Sequence, residues 1–280
     1  MCRLCILLIN NMDVFQMRLT ILFHRCVYKL SKPIFRCLRR HELVFVNTIP
    51  RIKGNAIFAV NHSCKYDIPY VLEALSQSAY VLVGKQPLKL LDRFSFMLNG
   101  VVWVDRKNSV DKKASVAKMK KLLCNGANLV IFPEGTWNLT PSKPMLPLYW
   151  GIVDIARYSC KPIVPIVLEY TDSKCYVAFG ERMQIVVDDD KGKKIKEIND
   201  QLSTLKWTIW EQFPDTGYNT LEEWDTELHN RLSEYPKLNY KYENSVIRKE
   251  YDMVEEVFEH LMKLTPNSNN AFLFSKRNHF

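Results

Sequence analysis

The sequence predicts an α/β fold: a single domain with a central, mostly buried sheet flanked by helices. Short apolar runs alternate with stretches of helical periodicity from residue 41 to about residue 175. The chain has 280 residues, which is enough for one large α/β domain or two small ones. Its 47% hydrophobic and 25% charged residues are ordinary for a globular protein, so we do not expect extensive disorder.

Strands and helices are predicted in alternation through this region. Runs rich in β-branched and aromatic residues predict strands; they are LVFVN, AIFAVN, AYVLVG, GVVWVDR, ANLVIF, IVPIVLEY and CYVAFG. Apolar residues at helical spacing predict helices; they are DIPYVLEALSQ, PLKLLDRFSFMLN, SVDKKASVAKMKKLLCN, YWGIVDIARYS and residues 193–213. Together these elements predict one domain over residues 41–213.

Residues 1–40 are predicted to form a basic, amphipathic, membrane-associating segment. Residues 1–53 hold ten Lys and Arg against two acidic residues, so most of the net charge of +9 lies there. Over residues 13–30, basic side chains fall on one side of a predicted helix and apolar side chains on another. This pattern has two interpretations. The helix lies on an anionic membrane surface, or it packs on its own domain with the basic residues in water. We expect Pro33 to break or kink it near residue 31.

Residues 214–280 are predicted to be an acidic helical extension. Residues 211–260 hold thirteen Asp and Glu against five Lys and Arg, with helical patterns at about 220–234 and 252–264. Because the positive charge is confined to the N-terminal segment and no nucleic-acid motif is recognised, we do not expect a nucleic-acid-binding protein. No apolar run reaches the roughly 18–20 residues that span a bilayer. The eight cysteines are scattered, which fits free thiols in a reducing compartment.

Polar and charged residues that could take part in catalysis or binding directly follow three predicted strands. Asn61-His62 follows AIFAV, Asp105-Arg106 follows VVWV, and the segment from Pro133 to Thr136 follows LVIF. Ligand sites in open sheets are built at the carboxyl ends of strands, so we expect the three clusters to meet if the strands are neighbours.

His62 and Asp67 are a candidate catalytic pair. They are five positions apart, so on one continuous helix they would not share a face. They can meet if His62 lies in the loop before a helix and Asp67 lies in its first turn. Asp67 could then accept a hydrogen bond from one imidazole nitrogen and leave the other as a base. Spacing alone leaves open a capping aspartate beside a solvated histidine.

Several nucleophile and nucleotide motifs are absent from the sequence, namely G-x-S-x-G, G-x-x-x-x-G-K-[ST], G-x-G-x-x-G and H-E-x-x-H. A His–Asp pair without a serine nucleophile points to direct activation of a substrate hydroxyl. General-base catalysis contributes about 10²–10⁴-fold in rate. That is sufficient only when the electrophile is already activated, as a thioester is.

Four segments in order resemble the motifs of the glycerolipid (lysophospholipid) acyltransferase family, which includes the 1-acylglycerol-3-phosphate acyltransferases. They are Asn61-His62-x₄-Asp67, the segment from Gly100 to Arg106, Phe132-Pro-Glu-Gly-Thr136 and Val164-Pro-Ile166. H-x₄-D alone is a weak signal, but four ordered motifs over about residues 40–190 are specific. The resemblance implies transfer of a fatty acyl group from acyl-CoA or acyl-carrier protein to a lysolipid hydroxyl. It implies that no metal or redox cofactor is needed. It also implies that the protein acts at the cytoplasmic face of a membrane, as a peripheral or monotopic protein.

The resemblance also implies residue roles. His62 would deprotonate the acceptor hydroxyl and Asp67 would orient His62. Residues that would bind the substrates are Arg106, Glu134, Gly135 and Thr136 at the polar head, Pro165 at the acyl wall, and Lys85. Trp137 stands where the family usually has arginine. Either the acceptor carries a less charged head group that the indole covers, or Lys143, Arg106 or Lys85 supplies the missing charge. An alternative function is a non-catalytic acyltransferase-like protein that binds lipid or shapes membranes.

Overall fold

The computed structural model describes residues 11–48, 50, 54–64, 66–85, 100–105, 108–138, 143–171, 173–213 and 226. The chain divides into two compact units, and the first comprises Met1–Asn138 and Pro144–Pro214. Of the described residues, only Lys143 and Thr226 fall in the second unit. The fold that follows is therefore that of the first unit.

Seven strands of the described chain form one mixed sheet. They are β1 (Glu42–Phe45), β2 (Ile57–Val60), β3 (Ala79–Gly84), β4 (Val101–Val104), β5 (Asn128–Ile131), β6 (Ile163–Tyr170) and β7 (Lys174–Phe179). Their spatial order is β1-β7-β6-β2-β5-β3-β4. All neighbours are parallel except β6 and β7. The α/β sheet that the sequence predicts is confirmed, and each predicted strand is present.

Five helices are described around this sheet. They are α1 (Asn11–Leu38), α2 (Asp67–Leu75), α3 (Ser109–Cys124), α4 (Gly151–Ser159) and α5 (Lys191–Gln212). The predicted helix PLKLLDRFSFMLN lies outside the described residues. So does the predicted acidic extension at 214–280, apart from Thr226. The predicted boundary between domain and extension stays a prediction.

The centre of the core is β2. Its four side chains, from Ile57 to Val60, are fully buried and alternate between two apolar clusters, one on each face of the sheet. One cluster includes side chains of α3, α4 and α5, and the other includes those of α2. A strand covered on both faces reads as a continuous apolar run, as AIFAV does. The polar residues that could take part in catalysis or binding therefore lie at the ends of the strands.

Helix α1 continues through Pro33 to Leu38, so proline does not end it near residue 31. Proline removes one helical hydrogen bond, a cost that tertiary contacts can offset. Such contacts lie on both sides of Pro33: the Tyr28 hydroxyl donates to the Leu72 carbonyl at 2.9 Å, and Arg39 pairs with Glu73 at 2.7 Å. Among the described residues, no helix has both the length and the apolar character needed to cross a bilayer.

Candidate active site

His62 and Asp67 meet at the carboxyl end of β2. His62 lies in the loop after the strand, and Asp67 is the first residue of α2. Nδ1 of His62 and Oδ2 of Asp67 are 2.7 Å apart. Because the ionised carboxylate can only accept, Nδ1 carries the proton in this hydrogen bond. Nε2 of a neutral His62 is then available as a base.

Asp67 is fully buried, and its charge is compensated by hydrogen bonds to both oxygens. Oδ2 also accepts the backbone N–H groups of Ser63 at 2.7 Å and Cys64 at 3.0 Å. Oδ1 accepts the hydroxyl of Tyr170 at 2.8 Å, and the thiol of Cys64 lies 3.5 Å away. These hydrogen bonds fix the orientation of the Asp67 carboxylate beside His62.

The segment after β5 holds the backbone of His62 from two sides. The N–H of His62 donates to Oε1 of Glu134 at 2.8 Å, and its carbonyl accepts the N–H of Asn138 at 2.6 Å. The other oxygen of Glu134 accepts the N–H of Leu146 at 2.8 Å. Gly135 makes the turn in this segment with φ of 72°, in the left-handed region that favours glycine. The two motifs therefore meet through backbone hydrogen bonds.

Burial raises the pKa of Glu134 from its ordinary 4.5 to about 7. The backbone N–H groups of Leu146 and His62, and the positive charge of Lys206, act in the opposite direction, while the charge of Asp67 adds to the rise. Desolvation outweighs two hydrogen bonds here because the carboxyl group is nearly removed from water.

Two aromatic side chains flank the His62 ring. Phe132 stacks on it with ring centroids 4.3 Å apart, and Trp137 lies at 5.5 Å with a tilt of 56°. Both residues belong to the segment that holds the His62 backbone. The imidazole is therefore restricted by ring contacts as well as by Asp67, and it stays half-buried. Thr136, between the glycine turn and Trp137, is also half-buried.

The remaining predicted substrate residues lie further away or outside the described chain. Arg106 is outside the described residues. Lys85 follows β3, and its ammonium pairs with Asp111 of α3 at 2.8 Å. Pro165 is buried within β6, opposite Ala59 of β2, and its carbonyl accepts the N–H of Gly180 at 2.8 Å.

The three strand-end clusters converge only in part. β2 and β5 are neighbours, so Asn61-His62 and the segment from Pro133 to Thr136 meet. β4 is separated from β2 by β5 and β3, and Asp105 at its end is three strand spacings away, about 14 Å at the usual spacing. The prediction that the clusters meet was conditional on neighbouring strands, and β4, which precedes Asp105, does not neighbour β2 or β5.

Sequence reasoning missed two residues of this site. Tyr170 ends β6, and no short motif connects it with Asp67, which lies 103 positions earlier. Asn61 begins the first of the four motifs but was given no role of its own; its side chain accepts the N–H of Leu168 at 2.7 Å and donates to the carbonyl of Leu168 at 2.9 Å. A polar residue ending an apolar strand was the available signal for Asn61.

The chain is similar to known acyltransferases. The family model described as acyltransferase matches residues 40–169. A probable 1-acyl-sn-glycerol-3-phosphate acyltransferase of Mycoplasma pneumoniae is 27% identical over 178 residues, covering 61% of this chain and 65% of that protein. An uncharacterized acyltransferase of Schizosaccharomyces pombe is 26% identical over 165 residues, covering 55% of this chain and 58% of that protein. The chain thus spans less than two thirds of the length of these curated relatives.

A solved structure shares the fold. The crystal structure of the 1-acyl-sn-glycerophosphate (LPA) acyltransferase PlsC from Thermotoga maritima matches with a TM-score of 0.52 and 17% sequence identity. The match covers 75% of this chain and 87% of that chain. The region matched by the family model contains His62, Asp67 and Glu134, together with strands β1 to β5 and all of β6 except its last residue. Over residues 40–169 the chain is thus similar to the acyltransferase family, and its fold is shared with PlsC.

Proposed function

We propose that this protein transfers a fatty acyl group from an acyl thioester, acyl-CoA or acyl-carrier protein, to a hydroxyl of a lysolipid such as 1-acylglycerol-3-phosphate. The observation that carries the proposal is the 2.7 Å hydrogen bond between His62 and a fully buried Asp67. It occurs inside the region that the acyltransferase family model matches. The acceptor named for the Mycoplasma pneumoniae relative and for PlsC supports a lysophospholipid as substrate class.

In this mechanism His62 acts as a general base. Nε2 takes the proton of the acceptor hydroxyl while the oxygen attacks the carbonyl carbon of the thioester. The tetrahedral intermediate collapses with cleavage of the carbon–sulfur bond, and the departing sulfur takes the proton back from His62. The Asp67 carboxylate, held by the N–H groups of Ser63 and Cys64, stabilises the imidazolium.

Glu134 and its neighbours are assigned two roles. Its carboxylate accepts hydrogen bonds from the backbone of His62 and Leu146, which supports a role in holding the His62 loop. Contact of Glu134, Gly135 and Thr136 with the acceptor head remains part of the proposal, as does a contribution of Arg106 and Lys85. Pro165, inside β6, is proposed to shape the wall that receives the acyl chain.

The head group of the acceptor depends on Trp137. Its indole lies against the His62 ring, and an indole cannot supply the charged fork that an arginine offers a phosphate. We therefore include acceptors with less charged head groups in the proposal. Introducing the cation, Trp137→Arg, is expected to raise kcat/KM for lysophosphatidate relative to a lysolipid without net charge. An equal change for both acceptors would contradict this role of Trp137.

Helix α1 is proposed to hold the protein on an anionic membrane surface. Ile21, His24 and Tyr28 of this helix are buried against the domain. A separate face is exposed and apolar, with Phe15, Leu19, Leu22 and Leu30 at helical spacing. Exposed Arg18, Lys29 and Arg36 lie beside that face. A helix that packs on its domain and still exposes an apolar face beside basic residues has the character of an interfacial helix.

The membrane proposal is tested by vesicle co-sedimentation. Replacing Phe15, Leu22 and Leu30 by serine should release the protein from vesicles of mixed neutral and anionic phospholipid. Replacing exposed Val110, Val186 and Val187 by serine is the matched control, which should leave binding unchanged. Equal binding of all three proteins would refute a role for this face.

The catalytic proposal is tested by following labelled acyl transfer from acyl-CoA and from acyl-carrier protein to a panel of lysolipids. We expect transfer that needs a thioester donor and falls about 10²–10⁴-fold in His62→Ala. Asp154→Asn, which removes an exposed carboxylate on α4, is the control and should stay active. Acyl transfer at the wild-type rate by His62→Ala would refute the assignment of His62 as general base. Lipid binding with no transfer to any acceptor would favour the non-catalytic lipid-binding alternative instead.

A further inference from the structure

The two oxygens of the Asp67 carboxylate have different partners. Oδ2 accepts three N–H groups, those of the His62 ring and of the Ser63 and Cys64 backbone. Oδ1 accepts the hydroxyl of Tyr170 at 2.8 Å, and its other neighbour among the described donors is the Cys64 thiol at 3.5 Å. A hydroxyl at 2.8 Å is a strong donor to a carboxylate, whereas a thiol is a weak one. Tyr170 is therefore the principal partner of Oδ1.

A bond at each oxygen fixes the plane of a carboxylate. With Oδ1 released, the group could rotate about its Cβ–Cγ bond and carry Oδ2 out of line with Nδ1 of His62. Small misplacements of a catalytic group are costly in rate. The hydroxyl of Tyr170 opposes that rotation directly.

Tyr170 is itself held in place. It is the last residue of β6, and its ring meets those of His41 and Tyr70 edge-on, with centroids 5.4 and 5.6 Å away. Burial, with the charge of Asp67 adding to it, raises the pKa of Tyr170 well above its ordinary value. The hydroxyl thus keeps its proton and remains a donor at any pH at which the protein works.

We propose that Tyr170 is a positioning residue of the acyl transfer, which holds Oδ1 of Asp67 so that Oδ2 stays bonded to His62. This inference rests on the proposed function. Tyr170 lies one residue beyond the region that the family model matches, so the match does not include it. It acts on the reaction only through Asp67 and touches neither substrate.

The test compares Tyr170→Phe with Tyr28→Phe in the full-length protein. Each variant removes one buried hydroxyl, since that of Tyr28 donates to the Leu72 carbonyl at 2.9 Å, away from Asp67. We expect kcat to fall on the order of tenfold in Tyr170→Phe with little change in KM, which is the usual size for loss of a hydrogen bond to a charged group. Tyr28→Phe should keep the wild-type kcat.

A pH profile of kcat/KM separates positioning from general structural damage. Without the Tyr170 hydroxyl, the Asp67 carboxylate that turns away from Nδ1 stabilises protonated His62, the inactive form of the base, less well. The acid limb of the profile should therefore move to lower pH in Tyr170→Phe and not in Tyr28→Phe. The position of this limb does not depend on the fraction of protein that is folded. The other titratable groups that interact with Asp67, namely Cys64, Cys175 and Glu134, are the same in both variants.

The possible outcomes are distinct. If wild type transfers acyl groups and Tyr170→Phe matches Tyr28→Phe in both kcat and pH profile, the role of Tyr170 is refuted while the function stands. If wild type transfers no acyl group to any acceptor, the proposed function itself fails. A lower kcat with a shifted acid limb in Tyr170→Phe alone supports the proposal.

Discussion

Two groups of charged residues, at different strands of the same sheet, differ in how far they are exposed to water. The His62 cluster, formed by His62, Asp67, Glu134 and Tyr170, lies where β2, β5 and β6 end. The Lys85 ion pair, Lys85 with Asp111, lies beside the ends of β3 and β4. Asp67 and Glu134 are 0% and 3% exposed. The side chains of Lys85 and Asp111 are 53% and 26% exposed.

The difference shows what burial demands of a charged group. A buried carboxylate must receive hydrogen bonds, and the donors that supply them also fix its geometry. Asp67 accepts the backbone N–H groups of Ser63 and Cys64. Glu134 accepts those of His62 and Leu146. The Lys85 ion pair is solvated, and exposed pairs contribute little to stability. Substitutions in the cluster should therefore have large effects, and substitutions in the ion pair small ones.

The largest effect is expected for Asp67→Asn. An amide at this place has no charge to stabilise the imidazolium, and it can present its NH₂ to Nδ1 and so favour the wrong tautomer of His62. We expect kcat/KM to fall on the order of 10²–10⁴-fold, no more than in His62→Ala. Steady-state kinetics with the preferred lysolipid measure this, beside Asp154→Asn. A loss of less than tenfold would remove Asp67 from the mechanism.

A smaller effect is expected for Glu134→Gln. The glutamine can accept one of the two backbone N–H groups and turns its NH₂ toward the other, which loses its acceptor. We expect the free energy of unfolding to fall by about 1–3 kcal/mol and kcat to fall about 10–100-fold as the His62 loop shifts. Denaturant unfolding and kinetics measure both. Glu73→Gln, which removes the partner of Arg39, is the control and should keep kcat. A Glu134→Gln variant with altered KM but unchanged kcat would instead indicate contact with the acceptor.

The pH dependence of stability offers a third test. The pKa of Glu134 is raised by burial from 4.5 to about 7, so the folded protein binds its proton more tightly than the unfolded chain does. This contribution to stability is complete below about pH 4.5 and is lost as pH rises through about 7. The stability of wild type relative to Glu134→Gln should decrease by about 3 kcal/mol across that range. A difference independent of pH would contradict the raised pKa.

The smallest effect is expected at the Lys85 ion pair. Lys85→Met removes a cation proposed to help bind the acceptor head, and Asp111→Asn releases that cation from its partner. We expect KM to rise about two- to fivefold in the first and to fall in the second, with kcat unchanged in both, because exposed charges are screened by water and salt. If KM is unchanged in both variants, Lys85 does not help to bind the acceptor head and serves only in the ion pair with Asp111.

The sequence by itself determined the strands, four of the helices that follow the first strand and the pair His62–Asp67. The continuous apolar run at β2 required a strand buried on both faces, and the polar residues after it required a strand end. The spacing of His62 and Asp67 allowed one residue in the loop and the other in the first turn of a helix, and the four ordered motifs favoured that arrangement over a capping aspartate. These are local patterns, in which each side chain depends mainly on its near neighbours in the chain.

Only the tertiary structure decided which distant groups meet. Strand order placed β5 beside β2 and left β4 at the far edge, so Glu134 reaches His62 and Asp105 does not. It also brought Tyr170 to Asp67 across 103 positions. Packing against α2 carried α1 past Pro33, against the local preference. The physical reason is that strand order and long-range hydrogen bonds depend on the packing of the whole domain, which no short stretch of sequence contains.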